Sequence, residues 1–349
     1  MNIPAHPAAV HFHPSGCRKL LRTLLGAVLS AAFLVFSGFG HAASAQSTGT
    51  LAGYVYEDGT RTPLAAVRIM VEGTDVGSLT DRDGYYELTG AGAGVTGFKP
   101  GERVAYVGSG GAFYENTGAY AEERNLPARV LVPLPAGLPE RTAAALFLKG
   151  LTASMIVNRC HRPARGEPIL VHAAASGVGS LLVQWAKHLG AVVIGTAGSR
   201  EKADAARAHG CDHVILYREA DFVAEVKKLF PGGVAAVYDG VGRDTFLRSL
   251  EVVRRYGMIV NYGNASGHPA PLDLLLLAKH GSIFASRPAF HDHIAQPEDR
   301  RRYSAELFEL VLGGVLKVQI GRSYPLREAA QAHRDIESRA LAGAAVLIP

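Results

Sequence analysis

A short apolar run, Ile169-Leu170-Val171, leads directly into His172-Ala173-Ala174-Ala175-Ser176-Gly177-Val178-Gly179, and this junction constrains the fold more than any other stretch of the chain. The run carries no polar alternation, as expected of a strand buried on both faces. Beyond the glycines, Val178, Leu181, Leu182, Trp185 and Leu189 recur on one side of a helix, and Gly190 supplies its stop. A glycine turn between a buried strand and a helix lets backbone N–H groups approach a pyrophosphate at the positive end of the helix. A turn that only packs has a similar look, and Ser176 stands where such dinucleotide turns often carry glycine. The alternation continues, with strands expected at 192–195, 234–238 and 258–262, so the predicted fold is α/β, a parallel sheet with helices on both faces.

The later strands narrow the ligand. Strands at 234–238 and 258–262 end in Asp239-Gly240-Val241-Gly242 and Gly263-Asn264-Ala265-Ser266-Gly267. Ligands of open α/β sheets bind beyond the carboxyl ends of strands, so three small-residue loops at one sheet edge favour a binding site over packing alone. The strand at 192–195 selects the cofactor. An NAD site places Asp or Glu about twenty residues beyond the first glycine, for the ribose hydroxyls. Here Gly195-Thr196-Ala197-Gly198 offers no acid, and Ser199, Arg200 and Lys202 follow, a cluster suited to the 2′-phosphate of NADPH. Glu201 lies among them, but helix geometry directs neighbours to different faces.

Several motifs in order then resemble one family. The stretches "HAAASGVGSLLVQWAKHLGAVVIGTAGSREKADAARAHGCDHVILYREADF", "VYDGVGRDTF", "YGNASG" and "ESRALAGAAVLIP" are similar to the NADPH:quinone reductases of the medium-chain dehydrogenase/reductase superfamily, the zinc-free group that includes zeta-crystallin. The resemblance covers residues 91–349. It implies a Rossmann-type doubly wound sheet at 151–315 and a truncated GroES-like catalytic domain formed by 91–150 and 316–349. By matched motif it places Gly177, Val178 and Gly179 at the pyrophosphate, and Gly198, Ser199, Lys202 and Tyr217 at the adenosine phosphate. Gly240, Asn264, Ser266 and Gly267 fall along the ribose and nicotinamide, with Thr152 nearby and Arg339 as a late basic contact. The implied reaction is hydride transfer to a quinone, in which orientation of the reacting carbons does most of the work. A 2-alkenal or enone reductase shares this fold and cofactor, and an inactive fused nucleotide-binding protein is the non-enzyme alternative. Family members are commonly dimers, so a homodimer is implied.

The first ninety residues follow other rules. Arg18, Lys19 and Arg22, an apolar run at 24–36 and Ala43-Ser44-Ala45 form an export-leader pattern, with a run too short to span a bilayer. Residues 51–90 turn to short strands and turns, with Val67, Ile69 and Val71 expected on one face. The segment "GYVYEDGTRTPLAAVRIMVEGTDVGSLTDRDGYYELTG" resembles the start of the carboxypeptidase regulatory-like domains of TonB-dependent receptors, about half of such a sandwich. After it, Val104-Ala105-Tyr106 reads as a strand following the Pro100-Gly101 turn. The family's opening stretch, where an asparagine and an aspartate in a G-x-N-x-x-D-like pattern flank the nicotinamide, has no counterpart in the resemblance. A fusion of two partial domains near Gly90 and a slow quinone reductase are therefore expected, and the enzyme part points to the cytoplasm while the leader points to the periplasm.

Composition closes other routes. Cys17, Cys160 and Cys211 are the only cysteines, and none are spaced for a disulfide framework or a structural zinc site. The net charge of +5 is spread along the chain apart from Arg300-Arg301-Arg302, which reads as a solvated helix face, so nucleic acid is not an expected partner.

Overall fold

The computed structural model describes the backbone of four strands between residues 51 and 88, and residues 97–99, 101–108, 119–122, 124, 126–338, 341 and 343–349. The leader-like segment, the turns and side chains of 51–90 and Arg339 lie outside the described residues. The chain divides into two compact units, one of residues 1–45 and 50–93, the other of 46–49 and 94–349.

In the first unit β1 (Leu51–Tyr54) pairs antiparallel with β4 (Tyr85–Leu88), and β2 (Arg68–Met70) with β3 (Gly77–Leu79). The strand β3 is absent from the sequence reading, because Gly77-Ser78-Leu79 is too short to show alternation.

The second unit opens with β5 (Val104–Ala105), paired antiparallel with β6 (Val132–Pro133), and α1 (Glu140–Met155), which continues into a π-helical turn at Ile156–Cys160. Then strands and helices alternate: β7 (Pro168–Val171), α2 (Gly177–His188), β8 (Val192–Ala197), α3 (Arg200–Ala208), β9 (His213–Leu216), α4 (Phe222–Leu229), β10 (Val234–Asp239), α5 (Phe246–Ser249), β11 (Val253–Asn261), α6 (Leu274–Lys279) and β12 (Phe284–Ser286). The six strands form one sheet in the order β12-β11-β10-β7-β8-β9, with every neighbouring pair parallel. The chain fills one side of β7 first and then crosses to β10. The order therefore reverses between β7 and β10, and a crevice belongs above their carboxyl ends.

Period-two geometry explains the unbroken apolar strands. Ile169 and Val171 face a core with Trp185 of α2 and Leu146 of α1, while Leu170 faces the opposite core with Ile194, Val237 and Phe222. Each fully buried aliphatic or aromatic side chain stabilises the sheet by about 1.5 to 3 kcal/mol. The strand expected at 258–262 starts earlier, at Val253, and ends at Asn261, leaving Tyr262 in the following loop. Polar Arg254 and Arg255 hide the first half of β11 from a hydropathy reading.

The chain ends with α7 (Phe290–His293), α8 (Pro297–Leu312), β13 (Ile320–Pro325), α9 (Ala329–Glu337) and β14 (Ala344–Ile348), with β13 parallel to β14. Ala344 and Val346 of β14 pack on Ala145 of α1. Arg300 does not belong to a solvated face: it is buried, and its guanidinium donates to the carbonyl of Ile294 at 2.9 Å. The entry to α8 folds back over that turn of the helix, which spacing along the chain does not reveal.

Candidate dinucleotide site

The turn after β7 is held from three sides. Ser176 caps α2, its Oγ accepting from the amide of Gly179 at 3.1 Å, so serine at this position supplies what the helix end lacks. Gly179 is required by close approach, because a Cβ there would lie 2.3 Å from the carbonyl oxygen of Ala173. Ala173 itself has a φ of 52°, a left-handed conformation uncommon for alanine. Its amide donates to Thr196 Oγ1 at 3.1 Å, and the amide of Ala174 donates to the Thr196 carbonyl at 3.0 Å.

Behind this turn lies His172, buried in a polar chain. Ser249 Oγ donates to the Thr245 carbonyl at 2.8 Å, so it accepts from Nε2–H of His172 at 2.9 Å. Nδ1 then accepts from Thr196 Oγ1 at 3.1 Å, which assigns the neutral tautomer. Burial pushes the imidazole down to about 4, only partly offset by the charge of Asp239. This histidine therefore orders the turn without carrying charge.

At the end of β8, the Tyr217 ring lies on Gly198, where a Cβ would meet its hydroxyl at 2.4 Å. Ser199 caps α3, accepting from the amide of Lys202 at 3.3 Å. Lys202 is exposed and forms no ion pair with a described residue, whereas Arg200 pairs with Glu219 at 3.5 Å. These four predicted residues and Arg200 thus gather at one strand end.

The loops after β10 and β11 interlock. Asp239, fully buried, accepts through Oδ1 from the amides of Val241 at 2.7 Å and Gly242 at 3.1 Å and from Thr245 Oγ1 at 2.9 Å. Gly242 has a φ of 91°, and a Cβ on it would lie 2.5 Å from the Gly267 carbonyl. Ser266 uses its hydroxyl within the loops, donating to the Val241 carbonyl at 2.9 Å and accepting from the Asp244 amide at 3.1 Å. The Asn264 side-chain nitrogen lies 3.1 Å from His268 Nδ1, while its Oδ1 is buried without a partner among the described residues. Tyr262 leans on Gly240, and its phenol oxygen is likewise unpartnered. Burial holds that phenol above its ordinary range.

The remaining predicted residue, Thr152, is on α1, its hydroxyl donating to the Leu148 carbonyl at 2.8 Å. Missed by sequence reasoning were Asp239, His172 and Thr196 as organisers of the turns, and Lys149, whose stem lies against Gly177. None has a spacing signature, since their partners are far away in the chain. Among the described residues no three His, Cys, Asp or Glu side chains converge in a metal-binding arrangement. No helix among them is long and apolar enough to cross a membrane.

The arrangement fits a dinucleotide: a cradle that Cβ atoms would fill, free amides at the start of α2, and an unpaired cation beyond β8. A family model described as Zinc-binding dehydrogenase matches residues 177–294. Quinone oxidoreductase 1 of Escherichia coli is 42% identical over 261 residues, covering 74% of this chain and 78% of the relative. The 2-haloacrylate reductase of a Burkholderia species is 40% identical, covering 74% and 77%. Among solved structures, the Escherichia coli quinone oxidoreductase complexed with NADPH superposes with a TM-score of 0.70 at 34% identity, covering 89% of this chain and 94% of that one.

Proposed function

Because this chain belongs to the quinone oxidoreductase family of the medium-chain dehydrogenase/reductase superfamily, we propose that it binds NADPH in the crevice above β7, β8 and β10 and reduces a quinone. The observation that carries the cofactor assignment is the end of β8, where a carboxylate is replaced by the Ser199 cap, the Tyr217 ring and the unpaired Lys202. When bound, NADPH supplies the hydride.

The chain's own residues bind and orient. Gly177, Val178 and Gly179 lie at the pyrophosphate, the amides of Gly177 and Val178 as donors and Gly179 as the close-approach position whose own amide the Ser176 cap uses, and Gly198, Ser199, Lys202 and Tyr217, joined by Arg200 on release from Glu219, take the 2′-phosphate. Gly240, Asn264, Ser266 and Gly267 bound the nicotinamide end, with Thr152 on the facing helix and Arg339 as a late basic contact. Ser266 acts by holding the two loops together, and the unpartnered Asn264 Oδ1 is free to accept a hydrogen bond. A quinone needs no nucleophile from the protein, only placement against the nicotinamide with water excluded. Residues 91–150 and 316–349 serve as the partial catalytic domain, and residues 48–90 keep the carboxypeptidase regulatory-like assignment, supported by their two antiparallel strand pairs.

The haloacrylate-reducing relative favours a second acceptor class, activated alkenes such as 2-alkenals. A homodimer is supported by the sheet edge, where Phe284 of β12 and Leu274 and Leu275 of α6 are all more than half exposed. The test is cofactor titration followed by loss of NADPH absorbance with benzoquinone and with a 2-alkenal. Lys202→Ala is expected to weaken NADPH by about 1.5 to 3 kcal/mol and leave NADH unchanged, as removal of a charged phosphate contact requires. Equal losses for the two cofactors refute the 2′-phosphate assignment, and no oxidation with either acceptor refutes the activity.

A further inference from the structure

We infer that Lys149, on α1, is a pyrophosphate-binding residue whose ammonium meets the cofactor beside the glycine turn. The inference rests on the dinucleotide reading of the crevice and adds to it a residue outside every motif that supports that reading.

Its position comes first. A Cβ placed on Gly177 would lie 2.9 Å from Lys149 Cδ, 3.0 Å from Cε and 3.4 Å from Nζ. The lysine stem therefore runs across the first residue of α2, and its ammonium lies beside the turn whose amides face the crevice. Thr152 follows three residues later on α1, so both side chains project from one face of that helix.

Its charge comes second. Lys149 is half-buried, and desolvation alone lowers its pKa, with no carboxylate raising it. Among the described residues it has no hydrogen-bond or ion-pair partner. Half-buried and exposed cations elsewhere in this unit find carboxylates, as Lys187 does with Asp212 at 2.8 Å, Arg254 with Glu167 at 2.5 Å and Arg159 with Asp299 at 3.0 Å, whereas Lys149 shares its lack of an ion pair with Lys202, the other cation assigned to the cofactor. Lys149 also faces the positive end of α2, where a cation is disfavoured. A partly desolvated cation set against a helix end of the same sign is costly in the free protein. A doubly charged pyrophosphate between them removes that cost, since both the ammonium and the helix amides then face an anion.

A purely structural role is the competing explanation. Lysine stems cover apolar surface, and Lys149 could serve only as a lid on Gly177. Lys149→Met separates the two, because it keeps an unbranched stem and removes the charge.

The experiment measures dissociation constants of the full-length wild type and Lys149→Met for NADPH, NADH and adenosine 2′-monophosphate, with thermal melting of the free proteins alongside. The expected result is that NADPH and NADH both weaken by about tenfold to a hundredfold, while the monophosphate, which lacks the pyrophosphate, binds as before. The free variant melts no lower than wild type, since an unpaired cation has been removed. Lys149→Arg restores most of the dinucleotide affinity. If Lys149→Met binds both dinucleotides as wild type does, or weakens the monophosphate equally, the assignment is overturned while the dinucleotide site stands. If wild type binds neither dinucleotide, the underlying reading falls and the Lys149 assignment with it.

Discussion

Protonation of His172 should destabilise the sheet and the cofactor turn together. In the folded chain its imidazole is enclosed, 1% exposed, with Nε2–H bonded to Ser249, Nδ1 bonded to Thr196 and its ring edge-on to Phe222 at 4.9 Å. Its pKa is about 4 there, against 6.5 for a free imidazole. A histidine held neutral in this way contributes stability that is fully present above 6.5 and is lost as the pH falls toward 4, because the unfolded chain takes up the proton first. The whole contribution is about 3 kcal/mol at 1.36 kcal/mol per pKa unit, and about 2 kcal/mol of it is gone at pH 5. His293, also buried and also lowered to about 4, adds a similar loss over the same window. Urea denaturation of wild type at pH 7.5 and pH 5 should therefore differ by roughly 4 kcal/mol from these two groups, and His172→Gln should retain only about half of that difference. NADPH affinity of the folded chain should hold to about pH 5 and fall only near pH 4, where His172 itself takes up a proton and Thr196 Oγ1, which bridges it to the amide of Ala173 in the turn, loses its acceptor. If the variant and wild type lose equal stability between the two pH values, His172 titrates normally in the folded state and the reasoning fails.

Gly179→Ala places a methyl 2.3 Å from a backbone carbonyl that a flexible side chain cannot move aside, so cofactor binding should be lost and stability reduced by about 1 to 3 kcal/mol, read by titration and by melting; unchanged NADPH binding would show that α2 can shift. Leu275→Asp, on an exposed turn of α6, should leave the fold intact and convert a dimer to a monomer in light scattering, and an unchanged mass would remove α6 from the interface.

The turn after β7 shows what was legible in the linear chain. Apolar Ile169-Leu170-Val171, the helical spacing of Leu181, Leu182 and Trp185 and the glycines between them are local signals, and the strand, turn and helix formed where those signals lie. The absence of an acid at 195–198 is equally local, as are Ser199, which caps α3, and Lys202 in its first turn, just beyond β8. Local signals were weaker where charge interrupted the pattern, as at Arg254 and Arg255 in β11, or where a strand was only three residues long, as in β3.

Tertiary structure decided the partners. Arg300 belongs to a basic run in the sequence, yet in the fold it is a buried donor to Ile294, because the segment preceding α8 folds over it. His172 lies inside the motif itself, yet its role depends on Thr196, Ser249 and Phe222, which sheet order and helix packing bring to it from 24, 77 and 50 residues away. The family motif places Ser266 along the cofactor, and the fold also has its hydroxyl join the β10 and β11 loops. Lys149 carries no motif, and only the seating of α1 against α2 sets it on Gly177. Periodicity and turn chemistry act over a few residues and can be read along the chain. Burial, charge pairing and the neutral state of an imidazole depend on what the fold places around each group, and those were settled only when the sheet closed between its helices.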